Sequence, residues 1–210
     1  MVGDMQSRTP AARTGRPRSA AADAAILAAT RQALVELGWS RLTLGDVATR
    51  AGVAKTTLYR RWSGKSELVV DAIAELFNEL EVPDRGSLAA DIEGVVLQFA
   101  AILGRPEARN GLIAVVAEAG GDDALRERIR HSIVERQKHL VVTGRERAQA
   151  RGEIPPESDP EAACRAIDLI YDIVAGTVVH RMLVSAEPAD TEWVRRFIAV
   201  LLAGITAAEG

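Results

Sequence analysis

Between Thr43 and Leu68 the chain reads TLGDVATRAGVAKTTLYRRWSGKSEL, and glycine cuts this stretch into three short helical pieces. Thr43 and Asp46 have capping-box spacing, which predicts a helix N-terminus at Thr43. Leu44, Val47 and Ala48 then recur at helical spacing until Gly52, a residue suited to a sharp turn with positive φ. A second piece, Val53 to Trp62, turns Val53, Leu58 and Trp62 to one side and leaves Lys55, Thr56, Tyr59 and Arg61 on the other. Ser63 and Gly64 break it, and a longer amphipathic helix starts near Lys65. Two short helices joined by a glycine-containing turn form a helix-turn-helix. Small polar, aromatic and cationic side chains on its second helix suit phosphates and base edges in a major groove.

At these residues the chain resembles the TetR family of transcriptional repressors. The likeness rests on Thr43, Asp46 to Ala48, Ala51 to Val53, Thr57 to Tyr59, Trp62 and Lys65 to Leu68, and covers roughly residues 20 to 70. It implies an all-α protein: an N-terminal three-helix DNA-binding domain and a C-terminal helical domain for effector binding and dimerisation. It also implies a homodimer on a palindromic double-stranded operator, released by a small-molecule effector. Lys55, Thr56, Tyr59 and Arg61 then face the major groove, and Thr43, Thr57, Arg60 and Lys65 favour phosphates. One position departs from the pattern. Many relatives cap the recognition helix with Ser, whereas this chain has Ala54, a poor cap.

The remaining sequence is punctuated in the same way. Residues 1–18, rich in Arg, Pro and Gly, read as a flexible basic arm, with Arg13, Arg16 and Arg18 available to a minor groove or phosphates, or as a plain tail. Residues 19–66 form the reading domain, opened by a helix from Ser19 to Leu37 that Gly38 ends. Residues 67–210 form the second domain. Its helices run from Lys65 to Leu80, then over Leu88 to Leu103, Pro106 to Ala119, Asp122 to Arg151, Asp159 to Val184, and Thr191 to Ala207. Thr191 is the expected cap of the last. The total is about nine helices, with no β pattern, and Val82 to Ser87 marks the domain boundary.

Charge distribution agrees with a nucleic-acid partner at one end. Residues 1–65 hold 11 Lys and Arg against 4 Asp and Glu, a net of +7; the remaining residues hold 15 against 25, a net of −10. All but three of the cations are arginine, so arginine richness itself carries little weight. A single cysteine, Cys164, allows no internal disulfide, the N-terminus lacks an apolar core segment, and no apolar run reaches membrane-spanning length. These features point to the cytoplasm. Phosphate-binding, dinucleotide and nucleophile-elbow motifs are missing from the sequence, so neither catalysis nor a cofactor is expected. Glu135 and His139 share a helix face, but without a second pair at ligand spacing they read as a solvated ion pair and no metal is expected.

The second domain exceeds what dimerisation alone requires, and aromatic residues make up only 4% of the chain. The resemblance implies a pocket between its helices, which the low aromatic content makes aliphatic, touching Phe99 and Val115, with Glu118 and His139 as polar anchors. Ile167, Ile170, Tyr171, Val174 and Val178, with Trp193, Phe197, Val200, Leu201 and Gly204, form two stripes that either build a dimer interface or close the monomer's core. The alternative to a repressor is a helical ligand-binding or interaction protein whose basic head does not read DNA specifically.

Overall fold

The computed structural model describes residues 17–156 and 159–208, and among these every regular element is a helix. The helices are α1 (Pro17–Arg41), α2 (Leu44–Ala51), α3 (Lys55–Tyr59), α4 (Lys65–Phe77), α5 (Leu88–Gly104) and α6 (Pro106–Ala119). A longer rod, α7, starts as Asp123–Ile129, widens to a π-helical turn over Arg130–Val134 and continues as Glu135–Ala150. In the same way α8 runs over Pro160–Val179 into a π-helical turn, His180–Val184. The last helix, α9, spans Thr191–Ala208. Of the arm expected over 1–18, residues 1–16 lie outside the described residues, and α1 opens at Pro17, two residues before the expected cap Ser19.

Local chemistry sets most of these ends. Gly38 takes φ 70° and kinks the chain before Trp39, where a side chain would strain the backbone. Thr43 caps α2, and Gly52 closes it in the left-handed region at φ 65°. Pro106 opens α6, Asp122 accepts from the Leu125 amide at 2.9 Å, and Asp159 accepts from the Glu161 amide at 2.9 Å ahead of Pro160. The cap of α9 is Asp190, not Thr191: its carboxylate accepts from the Trp193 amide at 2.9 Å, and Thr191 is already helical.

One apolar core runs from Ile26 in α1 to Ile198 in α9. The Val82 to Ser87 loop is present, but the core continues past it because α1 packs on α6 as well as on α2 and α4. Gly111 permits this approach. A Cβ there would stand 2.6 Å from Ile73 Cγ2 and 3.5 Å from Leu34 Cδ1, so only glycine lets α6 sit this close to α4 and α1. Helix α4 therefore serves two layers, with Leu68 and Val69 buried near its start, Val69 against α6, and Phe77 buried at its end.

Candidate nucleic-acid interface and body cavity

The helix-turn-helix is built from its caps outward. Thr43 Oγ1 accepts from the Asp46 amide at 3.1 Å and donates to Asp46 Oδ2 at 2.5 Å, so the first turn of α2 is fixed from both sides. After Gly52 the Val53 amide returns to the Ala48 carbonyl at 3.0 Å, which sets the angle at which α3 leaves. Leu58 and Trp62 are buried beneath α3. On the opposite side Tyr59 is 60% exposed, and Lys55, Thr56 and Arg60 are exposed with it, while Thr57 is half-buried. Lys55 lies across the first turn of α2: a Cβ on Gly45 would come within 3.1 Å of its Nζ. Ala54 makes no side-chain cap bond, and α3 is only five residues long.

Two of the expected DNA-facing cations have partners inside the protein. Arg61 forms an ion pair with Asp23 on α1, half-buried rather than open on the exposed face. The expectation missed this because Asp23 is remote in sequence and only the packing of α1 brings it near. Lys65 donates to the Trp39 carbonyl at 3.1 Å and sits 4.2 Å from the centre of the Trp39 ring, which ties the start of α4 to the α1 kink. The N-cap of α4 is Gly64, with no side chain to offer, so Glu67 reaches back to accept the Ser63 amide at 2.9 Å. That hydrogen bond holds the Glu67 carboxyl below its ordinary value.

A residue the sequence reading did not single out joins these parts. Asp71 Oδ2 on α4 accepts from the Trp62 indole at 2.8 Å and from the Arg128 guanidinium on α7 at 2.6 Å. One carboxylate thus ties the end of the helix-turn-helix to α7. Arg31 on α1 also reaches α4, at the Ala72 carbonyl (3.0 Å) and at Glu75 (2.6 Å).

Beyond α4 a cavity of about 280 Å³ opens between α5, α6, α7 and α8. Phe99 lines it, as expected. Val115, Glu118 and His139 do not. Val115 is fully buried, and its neighbour Val116 is the one on the cavity wall. Glu118 and His139 each stand two residues, roughly 200° of helix, beyond wall residues Val116 and Gln137, so both point to solvent. The polar wall groups are instead Asp91, Gln137, Arg145 and Tyr171. Asp91 is 1% exposed and accepts from the Arg85 amide at 2.7 Å and from Arg151 at 2.9 Å. Gln137 Nε2 donates to the Phe77 carbonyl at the end of α4 at 3.0 Å. Burial, followed by the charges of Asp172 and Glu135, pushes the Tyr171 phenol up to about 12. A polar residue inside an apolar helix stripe, as Gln137 is after Ile133 and before Leu140, is the signal that could have located this wall.

The expected α8 stripe turns inward. Ile170, Tyr171 and Val174 line the cavity and Val178 is buried, so these residues close the monomer's own core. Among the described residues of α8 and α9, the large apolar side chains left outside are Leu169, Ile173, Val184 and Val200, the last 74% exposed. Trp193 and Phe197 stack at 5.5 Å on the half-buried side of α9.

Comparison with known proteins agrees with this layout. Residues 26–72 match the model of bacterial regulatory proteins of the tetR family, and residues 82–201 match a tetracyclin repressor-like C-terminal domain. A DNA-binding transcriptional repressor TetR of Mycobacteroides abscessus is 31% identical over 181 residues, covering 83% of this chain and 88% of that protein. The uncharacterised helix-turn-helix-type regulator YdeS of Bacillus subtilis is 29% identical, covering 92% and 94%. Among solved structures, the TetR family transcription regulator SCO0332 is 29% identical with a TM-score of 0.71, covering 87% of this chain and 97% of its own. FadR of Bacillus subtilis, solved in complex with stearoyl-CoA, is similar in fold, with 17% identity, a TM-score of 0.60 and coverage of 86% and 98%. Among the described residues no helix is long and apolar enough to cross a membrane.

Proposed function

This chain belongs to the TetR family of bacterial transcriptional regulators, and on that premise we propose that it represses transcription as a homodimer on a two-fold symmetric operator and is released when a small molecule fills the body cavity. DNA-binding regulation is the family's activity; repression, symmetry and release are our reading. The observation that carries it is the exposed polar face of α3, with Lys55, Thr56 and Tyr59 free to meet base edges over a buried Leu58 and Trp62. Thr57 and Arg60 flank that face and reach phosphates, and Thr43 joins them when its hydroxyl turns from Asp46 to a phosphate. Lys65 keeps two ammonium protons beyond its bond to Trp39, and the open amides at the start of α4 add a second anion donor. Arg61, paired with Asp23, acts as a brace that sets the pose of α3 rather than as a base contact.

The dimer reading rests on Leu169, Ile173 and Val200, apolar groups that two copies would cover with the same patch on each side. The release reading rests on the cavity and on α4, which meets it at Phe77 and the head at Trp62 through Asp71. The FadR neighbour's stearoyl-CoA complex supports a small-molecule role for a body of this fold, though not that ligand for this chain.

Selection of random duplexes by the full chain tests the proposal. It should enrich a two-fold symmetric sequence with half-sites about one helical turn, or a multiple of it, apart. On that operator Lys65→Ala should weaken binding to every duplex and lower the salt slope by about one unit, and Lys55→Ala should relax one base position. If no sequence is enriched, or if Tyr59→Phe and Lys65→Ala both bind like wild type, the assignment of the reading face is wrong.

A further inference from the structure

The cavity wall is aliphatic apart from two phenylalanines and the four polar groups Asp91, Gln137, Arg145 and Tyr171. The carboxylate on it is already committed. Each Asp91 oxygen has a donor, and Arg151 balances its charge. Arg145 is buried and has its own partner within the protein. A cationic ligand would therefore find no open carboxylate, and an anionic one would have to compete for Arg145 with the partner it already has, so desolvation disfavours both.

Gln137 is different. Its Nε2 donates to the Phe77 carbonyl, which can only accept, so the amide can stand only one way round. The group left over is Oε1, on a side chain that is nine-tenths buried; no donor of the described residues satisfies it. A donor placed in the cavity can meet it. Tyr171 is the other uncharged polar group on the wall, since a phenol is protonated at neutral pH even at its ordinary value.

We propose that the cavity takes an uncharged, mainly aliphatic molecule bearing one hydroxyl or amide N–H, which donates to Gln137 Oε1. The volume admits on the order of ten to fifteen heavy atoms, a small ligand for a protein site. This rests on the effector reading above and adds the chemistry of the ligand. It also names the contact through which the ligand is felt: the same amide that receives the hydroxyl holds the last turn of α4 at Phe77.

The test uses the full chain and three probes of one chain length: decanol, its methyl ether and decanoate, with binding measured by calorimetry. Decanol should bind about tenfold or more tighter than the ether, which lacks the donor, and tighter than decanoate, which is charged. Replacing Gln137 by Leu should make decanol and the ether equal. Equal affinities of alcohol and ether for the wild-type chain would overturn the donor assignment while leaving the cavity as an effector site, and this comparison needs no variant. Decanoate binding tightest would overturn the uncharged class. If none of the three binds while the selected operator is still bound, the aliphatic ligand class is wrong and this inference falls, whereas the effector reading falls only if no compound of a broad panel releases the operator.

Discussion

Asp71 is the residue at which the reading head and the body meet. Its Oδ2 serves two donors from different parts of the chain, the Trp62 indole and the Arg128 guanidinium, and both contacts are partly shielded from water. Removing it leaves an indole N–H and a cation without their acceptor. Asp71→Ala should lower stability by about 1–3 kcal/mol in urea unfolding, toward the low end because the pair is about a quarter to a third exposed. A midpoint unchanged at constant m would show that the carboxylate holds nothing. Gly111 acts at the same scale without forming a bond, since its missing Cβ is what lets α6 touch Ile73 and Leu34.

At the scale of elements, α3 is the weakest piece of the head. It has five residues, an uncapped start at Ala54 and support mainly from Leu58 and Trp62 beneath it. The Thr57 amide already donates to the Ala54 carbonyl at 2.9 Å, so Ala54→Ser adds a hydroxyl that can accept from the Thr56 amide, and should stabilise the protein by about 0.5–2 kcal/mol, with slower amide exchange at Thr56 and Leu58. Exchange as fast as in wild type would mean that packing alone holds α3. Helix ends of this kind were legible in the sequence because caps are local chemistry: Thr43 with Asp46, Gly52, Pro106, Asp122, and Asp159 with Pro160 are all within a few residues of what they fix. The α9 cap slipped by one residue because Asp190 and Thr191 are both good caps and only the backbone chooses between them. What needed the whole fold was not legible. The π-helical turn at Arg130–Val134 has no local signature, and it lies where Ile133 and Val134 meet the cavity. Periodicity showed that one face of α8 is apolar, but not that Tyr171 and Val174 look into a cavity while Leu169 and Ile173 look out. Glu118 and His139 were chosen by residue type, and helix phase turns both away from the wall that Gln137 joins.

At the scale of the molecule, a continuous core from α1 to α9 makes independent motion of head and body costly, so the release proposed above would travel from the cavity as a shift of packed helices. Helix α4 is placed to carry it, with Phe77 on the cavity wall and Lys65 at the α1 kink. Moving the operator from nearly all bound to nearly all free takes a ligand preference of roughly 5.5 kcal/mol between the two states, and operator DNA must weaken ligand binding by the same factor. Such a shift acts on DNA only if two heads are yoked, which places the demand on the outer faces of α8 and α9. The most direct measurement is sedimentation of the full chain with the selected operator and with a scrambled duplex, for wild type and for Leu169→Arg combined with Val200→Arg. The prediction is two chains per operator for wild type, with operator binding at least about a thousandfold tighter than scrambled DNA, and a monomeric double variant that loses most of that preference. One chain per operator, or equal binding to both duplexes by the wild-type chain, would contradict it.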